Sequence, residues 1–205
     1  MLKIKICGIT NLPDALDAAA LGASSLGFIF SKSPRQISQH EAKAIIKELP
    51  PFISTVGVFV NESLEYINEV THDCKLDIIQ LHGNESPDFC AKINRRTIKA
   101  IRIFGIEDLK IIDKYKNVVS GILLDTYVVN TAGGTGQAFD WGLAHEAKKY
   151  GIPIIVAGGI NPDNLVKAVK TASPYAIDLS SGVEKFHGKK DYEKLSKLFQ
   201  IAHTL

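Results

Sequence analysis

Sulfur is scarce in this chain. Its 205 residues hold three cysteines, Cys7, Cys74 and Cys90, and one methionine. An odd cysteine count without C-x-x-C spacing argues against a disulfide framework and a structural zinc site, so reduced thiols are expected. The six histidines (His40, His72, His82, His145, His187, His203) include no H-x-x-x-H pair. Neighbours such as His72, Asp73 and Cys74 diverge on a helix, so no metal is expected. No apolar run approaches the ~20 residues that span a membrane, and Met1-Leu2-Lys3-Ile4-Lys5 lacks the apolar core of a signal peptide. The formal net charge is only +2, with Lys and Arg scattered along the chain, which leaves no electrostatic footprint for nucleic acid. The longest basic cluster, Lys185 with Lys189 and Lys190, reads as the solvated start of a helix. These absences leave a cytoplasmic enzyme or binding protein without nucleic-acid or membrane partners.

What is present is a repeated alternation of short apolar runs, polar turns and amphipathic stretches. Hydrophobic residues make up 45% and charged residues 22% of the chain, a balance that excludes a disordered chain and suits one well-buried core. A single domain over 1–205 is expected. Strands are predicted at Leu2 to Ile6, Ser25 to Phe30, Thr55 to Val60, Ile78 to Leu81, Thr97 to Ile103, Gly121 to Leu124, Ile154 to Ala157 and Ala176 to Leu179. Helix starts are signalled by Ser38 with Glu41 as a capping box, and by Ser86-Pro87 and Asn161-Pro162, where a capping side chain precedes a proline. Apolar stripes follow: Ala42, Ile45, Ile46 and Leu49 in one helix, Leu165, Ala168, Val169 and Ala172 in another, and Leu195, Leu198, Phe199 and Ala202 in a third.

Strands alternating with helices imply a parallel sheet, because each helix returns the chain to the same end. Eight units fit a closed (β/α)8 barrel of the TIM type with brief loops. An open doubly wound sheet is the alternative, but the first turn, Cys7-Gly8-Ile9-Thr10, lacks the G-x-G-x-x-G fingerprint. The barrel is favoured.

In either fold the chemistry gathers at the carboxyl ends of the strands. Cys7 closes the first strand and Asp125 the sixth, so a thiol and a carboxyl stand at one sheet end. Arg35, stiffened by Pro34, offers a guanidinium that can hold a carboxylate by two parallel hydrogen bonds. The long connection from Thr126 to Ala138 carries Gly133, Gly134 and Gly136; it can be read as a lid over a ligand or as a flexible connector. Ala157-Gly158-Gly159 after strand seven and Ser180-Ser181-Gly182 after strand eight stand where barrels often bind phosphate through backbone N–H groups.

Several stretches, taken in order, resemble the phosphoribosylanthranilate isomerase family from first strand to last helix. They are Lys5-Ile6-Cys7-Gly8-Ile9-Thr10, Ser33-Pro34-Arg35, Gly57-Val58-Phe59-Val60-Asn61, Gln80-Leu81-His82-Gly83 and Leu124-Asp125. Gly134-Thr135-Gly136 with Phe139-Asp140-Trp141, Ala157-Gly158-Gly159 and Asp178-Leu179-Ser180-Ser181-Gly182-Val183-Glu184 complete the set.

The resemblance implies an Amadori rearrangement of N-(5-phosphoribosyl)anthranilate in tryptophan biosynthesis, without cofactor or metal. Carried over by residue, Cys7 is the general base and Asp125 the general acid, Arg35 faces the anthranilate carboxylate, and the last two loops hold the phosphate. His82, Asp178 and Glu184 join Gly158, Gly159, Ser180, Ser181 and Gly182 as expected substrate contacts or their supports. The partner is a small phosphosugar, and a monomer or homodimer is expected.

An ordinary cysteine (pKa ~8.5) is only a few per cent thiolate at pH 7, so neighbouring N–H groups or a cation should raise that fraction. An ordinary aspartic acid is only about 0.1% protonated there, a handicap of ~4 kcal/mol that apolar walls such as Leu81, Leu124 and Phe139 would reduce. Two rival functions are a related barrel isomerase of the histidine pathway, expected to use a carboxylate in place of Cys7, and a silent phosphosugar-binding module, which would need neither Cys7 nor Asp125.

Overall fold

Eight parallel strands close into a ring because β1 (Lys3–Cys7) pairs on one side with β2 (Ser25–Ile29) and on the other with β8 (Ala176–Leu179). Between lie β3 (Ser54–Phe59), β4 (Ile78–Leu81), β5 (Arg96–Arg102), β6 (Gly121–Asp125) and β7 (Ile154–Val156), each paired with its sequence neighbours. The computed structural model describes residues 2–125 and 141–205. The expected lid, Thr126 to Ala138, and the expected wall Phe139 lie outside the described residues.

The crossovers are α1 (Leu12–Leu21), α2 (Gln39–Lys47), α3 (Leu64–Cys74), α4 (Pro87–Cys90), α5 (Ile112–Tyr115), α6 (Trp141–Ala147) and α7 (Leu165–Ala172); α8 (Tyr192–Ala202) closes the chain. No described helix is long and apolar enough to cross a membrane. The capping box at Ser38 forms as expected, with Ser38 Oγ accepting from the Glu41 N–H and Glu41 accepting from the Ser38 N–H. Asn161 behaves differently. Its Oδ1 accepts from the N–H groups of Asp163 and Asn164, capping a turn, and α7 begins only at Leu165.

Alternation along each strand divides the core in two. Outward residues such as Ile4, Ile6, Leu26, Phe28 and Ile79 pack under the helices, with Leu165, Leu195 and Phe199 reaching in from outside. A smaller apolar cluster of Ile98, Ala100, Leu123, Ile155, Ala157 and Ala176 fills the barrel itself. Above it the inward positions turn polar.

One expectation fails after β8. Lys189 and Lys190 do not begin a solvated helix; they form β10 (Lys189–Lys190), an antiparallel partner of β9 (Glu184–Phe186). Gly188, at φ +82°, makes the tight reversal possible. The hairpin drives Lys190 inward, where it is buried.

Candidate active site

Cys7, at the carboxyl end of β1, and Asp125, at the carboxyl end of β6, line one cavity of about 270 Å³ at the barrel mouth. Arg35, His82, Gly158, Gly159, Asp178 and Ser180 to Gly182 share its wall. A larger hollow of about 420 Å³ adjoins it at His82, but of the two it is the smaller that both the thiol and the carboxyl line.

The sulfur is held among charges. Lys5, two residues before Cys7, faces the same barrel interior and is the register partner of Asp178 across β1 and β8; their side chains pair at 2.9 Å, both buried. Lys190 Nζ donates to the Cys7 carbonyl at 2.6 Å and to Glu184 Oε1 at 3.0 Å. Burial pushes the Cys7 thiol above its ordinary value, and Asp178 adds to that push, while Lys5 and Lys190 oppose it. The expected cations are therefore present but do not overcome desolvation of the sulfur. Burial also draws the Lys190 ammonium down against the pull of Glu184.

The Asp125 carboxyl is oriented from the next strands round. His82 follows β4, and its Nε2 lies 3.0 Å from Asp125 Oδ2; its Nδ1 lies 3.0 Å from Gln80 Nε2. With the Gln80 amide donating to Nδ1, the ring proton sits on Nε2 and points at Asp125.

Arg35 reaches Glu184 through two bonds, Nε to Oε1 at 2.8 Å and Nη2 to Oε2 at 2.7 Å. Burial favours the neutral acid of Glu184, but Arg35 and Lys190 outweigh it and hold the carboxyl below its ordinary value. Both Glu184 oxygens are thus engaged within the protein. Gly8 makes room for this pair: at φ +76°, a Cβ there would come within 2.6 Å of Arg35 Cδ.

The loops after β7 and β8 interlock. A Cβ on Gly182 would overlap the carbonyl oxygen of Ile160, so only glycine allows the two backbones to meet there. Gly158 and Gly159 hold left-handed conformations at φ +85° and +66°. Beside them Ser180 Oγ is buried with no hydrogen-bond partner among the described residues, an orphaned hydroxyl on the cavity wall.

The family model for N-(5'phosphoribosyl)anthranilate (PRA) isomerase matches residues 4–201. The chain belongs to this family of isomerases. The N-(5'-phosphoribosyl)anthranilate isomerase of Citrifermentans bemidjiense is 51% identical over 206 residues, covering 100% of this chain and 98% of the relative. That of Trichlorobacter lovleyi is 48% identical over 203 residues, covering 98% of each. The crystal structure of the Thermotoga maritima phosphoribosyl anthranilate isomerase superposes with a TM-score of 0.92 at 41% identity, over 100% of both chains. A second solved member, in complex with reduced 1-(o-carboxyphenylamino)-1-deoxyribulose 5-phosphate, superposes at 0.90 with 39% identity and the same coverage. The Thermotoga maritima protein is described as dimeric.

The site also contains residues to which the sequence reading gave no role. Lys5, Gln80 and Lys190 are buried, and all three touch groups that approach the cavity. Period-two alternation counted back from Cys7 and His82 would have found the first two, because i and i−2 share a strand face.

Proposed function

We propose that this chain converts N-(5-phosphoribosyl)anthranilate to 1-(2-carboxyphenylamino)-1-deoxyribulose 5-phosphate by general acid and base catalysis, as one catalytic barrel over residues 1–205 in the cytoplasm. A monomer or homodimer is the assembly we infer. The observation that carries the reading is the placement of a thiol on β1 and a carboxyl on β6 in the wall of one cavity, with the interlocked glycine loops beside them.

Asp125 delivers a proton to the ribose ring oxygen as the C1–O bond breaks, leaving a cationic imine. The positive charge acidifies the adjacent C2–H. Cys7, as thiolate, removes that proton and becomes the thiol, and the resulting enolamine tautomerises to the ketose. The imine also places a cation near the sulfur at the moment the thiolate is needed, offsetting some of its desolvation.

Phosphate is held by the backbone N–H groups of Gly158, Gly159, Ser181 and Gly182, with the Ser180 hydroxyl as a further donor. Arg35 faces the anthranilate carboxylate: a guanidinium has five N–H bonds, and Glu184 takes those on Nε and Nη2. Glu184 supports this arrangement by holding Arg35, and its role is to position that guanidinium. Asp178 acts beneath the substrate through Lys5. The silent-binder alternative gives no reason for Cys7 and Asp125 to share a cavity.

Turnover is followed by the loss of anthranilate fluorescence. Cys7→Ser and Asp125→Asn should each lower it at least ~100-fold with circular dichroism unchanged. Near-normal rates in either variant would refute its assigned role.

A further inference from the structure

Lys5 is absent from the cavity wall, yet the tip of its side chain lies inside the barrel beside the Cys7 sulfur. The confinement is steric as well as electrostatic. A Cβ on Gly27, the register partner of Cys7, would stand 2.8 Å from Cys7 Sγ and 3.1 Å from Lys5 Cε. Sulfur and lysine tip therefore crowd the same bare stretch of β2. Asp178 holds the ammonium from the other side at 2.9 Å.

A buried ammonium is costly to retain, and an apolar side chain would fill this layer of the barrel at less expense if packing were its only role. Five charged groups surround Cys7. They are Lys5 on its own strand, Asp178 on β8, Lys190 on β10, Arg35 on the turn after β2, and Glu184, which bridges Arg35 and Lys190. Lys190 spends its contacts on the Cys7 carbonyl, the Ser180 carbonyl and Glu184, and Arg35 is bound to Glu184. Lys5 is the remaining cation, and its side-chain tip lies beside the sulfur over Gly27.

We propose that Lys5 is a positioning residue for Cys7: moored by Asp178 and confined by Gly27, its ammonium stabilises the sulfur as a thiolate without touching substrate. The proposal rests on the general-base reading of Cys7 and explains how a buried thiol can serve as one. Lys5 keeps its proton throughout; only Cys7 exchanges one with C2.

The test is the rate at which iodoacetamide alkylates Cys7 at pH 8.5, followed by mass spectrometry of the Cys7 peptide. In Lys5→Met the rate should fall at least ~10-fold, with kcat falling alongside and KM within about twofold of the parent. Because Lys5→Met strands a buried carboxylate, the charge-neutral pair Lys5→Met with Asp178→Asn is measured too, and it should alkylate as slowly. Parental alkylation in either folded variant would overturn the proposal; recovery in the pair alone would mean that Lys5 merely neutralises Asp178. Failure of the base reading looks different: Cys7→Ser would then retain turnover whatever Lys5 does to alkylation.

Discussion

His82 Nε2 stands 3.0 Å from Asp125 Oδ2, joining the end of β4 to the end of β6 across the mouth of the barrel. The imidazole is fixed in turn by Gln80, its neighbour two residues back. An acid that must reach one ring oxygen gains from having its carboxyl rotamer set in advance. His82→Asn shortens the side chain and removes this hold on the carboxyl, so kcat should fall roughly 10-fold with a smaller change in KM. Steady-state fluorescence kinetics check it; an unchanged kcat would mean that the contact does no more than line the wall.

Gly182→Ala places a methyl group against the carbonyl of Ile160. The loops after β7 and β8 must part to accept it, at a cost of about 1–3 kcal/mol in stability. Thermal denaturation should show a lower Tm. Inorganic phosphate should also become a weaker competitive inhibitor, because the anion's two half-sites separate. A variant that inhibits like the parent would place the phosphate elsewhere.

The two thiols predict how the protein responds to alkali. Burial pushes Cys90 up to about 11 and raises Cys7 as well. Alkylation of Cys7 needs the thiolate alone, so its rate should still be climbing above the thiol's ordinary value. For stability, a thiol with a higher value in the folded state favours the fold fully below its unfolded value. That contribution is lost as pH rises through the window from about 9 to about 11 for Cys90. Lys5, also raised, loses its contribution above its ordinary 10.5, while Lys190, drawn down, works in the opposite sense. Denaturant midpoints measured from pH 8 to 11 should therefore decline, and a flat profile would contradict these shifts. At pH 8 iodoacetamide should spare Cys90, which is buried outside the cavity.

The eight strands were legible because apolar runs bounded by turn residues have few other uses, and each strand lies within a residue or so of its expected limits. The barrel's interior was harder to read. In Leu2-Lys3-Ile4-Lys5-Ile6 the lysines look like the wet face of an amphipathic strand. In a closed ring that face turns inward, so a pattern that signals solvent in an open sheet marks the lumen here. Lys190 was hidden by a different cause: its burial depends on the Gly188 reversal, and nothing in a run of basic residues announces a hairpin. The Arg35–Glu184 pair joins positions 149 apart, a separation that propensity and periodicity do not address. Cys7 and Asp125 could be placed at one sheet end from their strands, but apart from Lys5 the groups around the sulfur come from distant parts of the chain.

The seventh residue of the chain thus owes its surroundings to the 178th, 184th and 190th. During synthesis the first strand waits with its thiol ungoverned until the eighth arrives to seal the ring, and no shorter nascent length holds the assembled chemistry. Activity in a refolding experiment would therefore appear only once the two ends of the chain have joined, and not with helix alone.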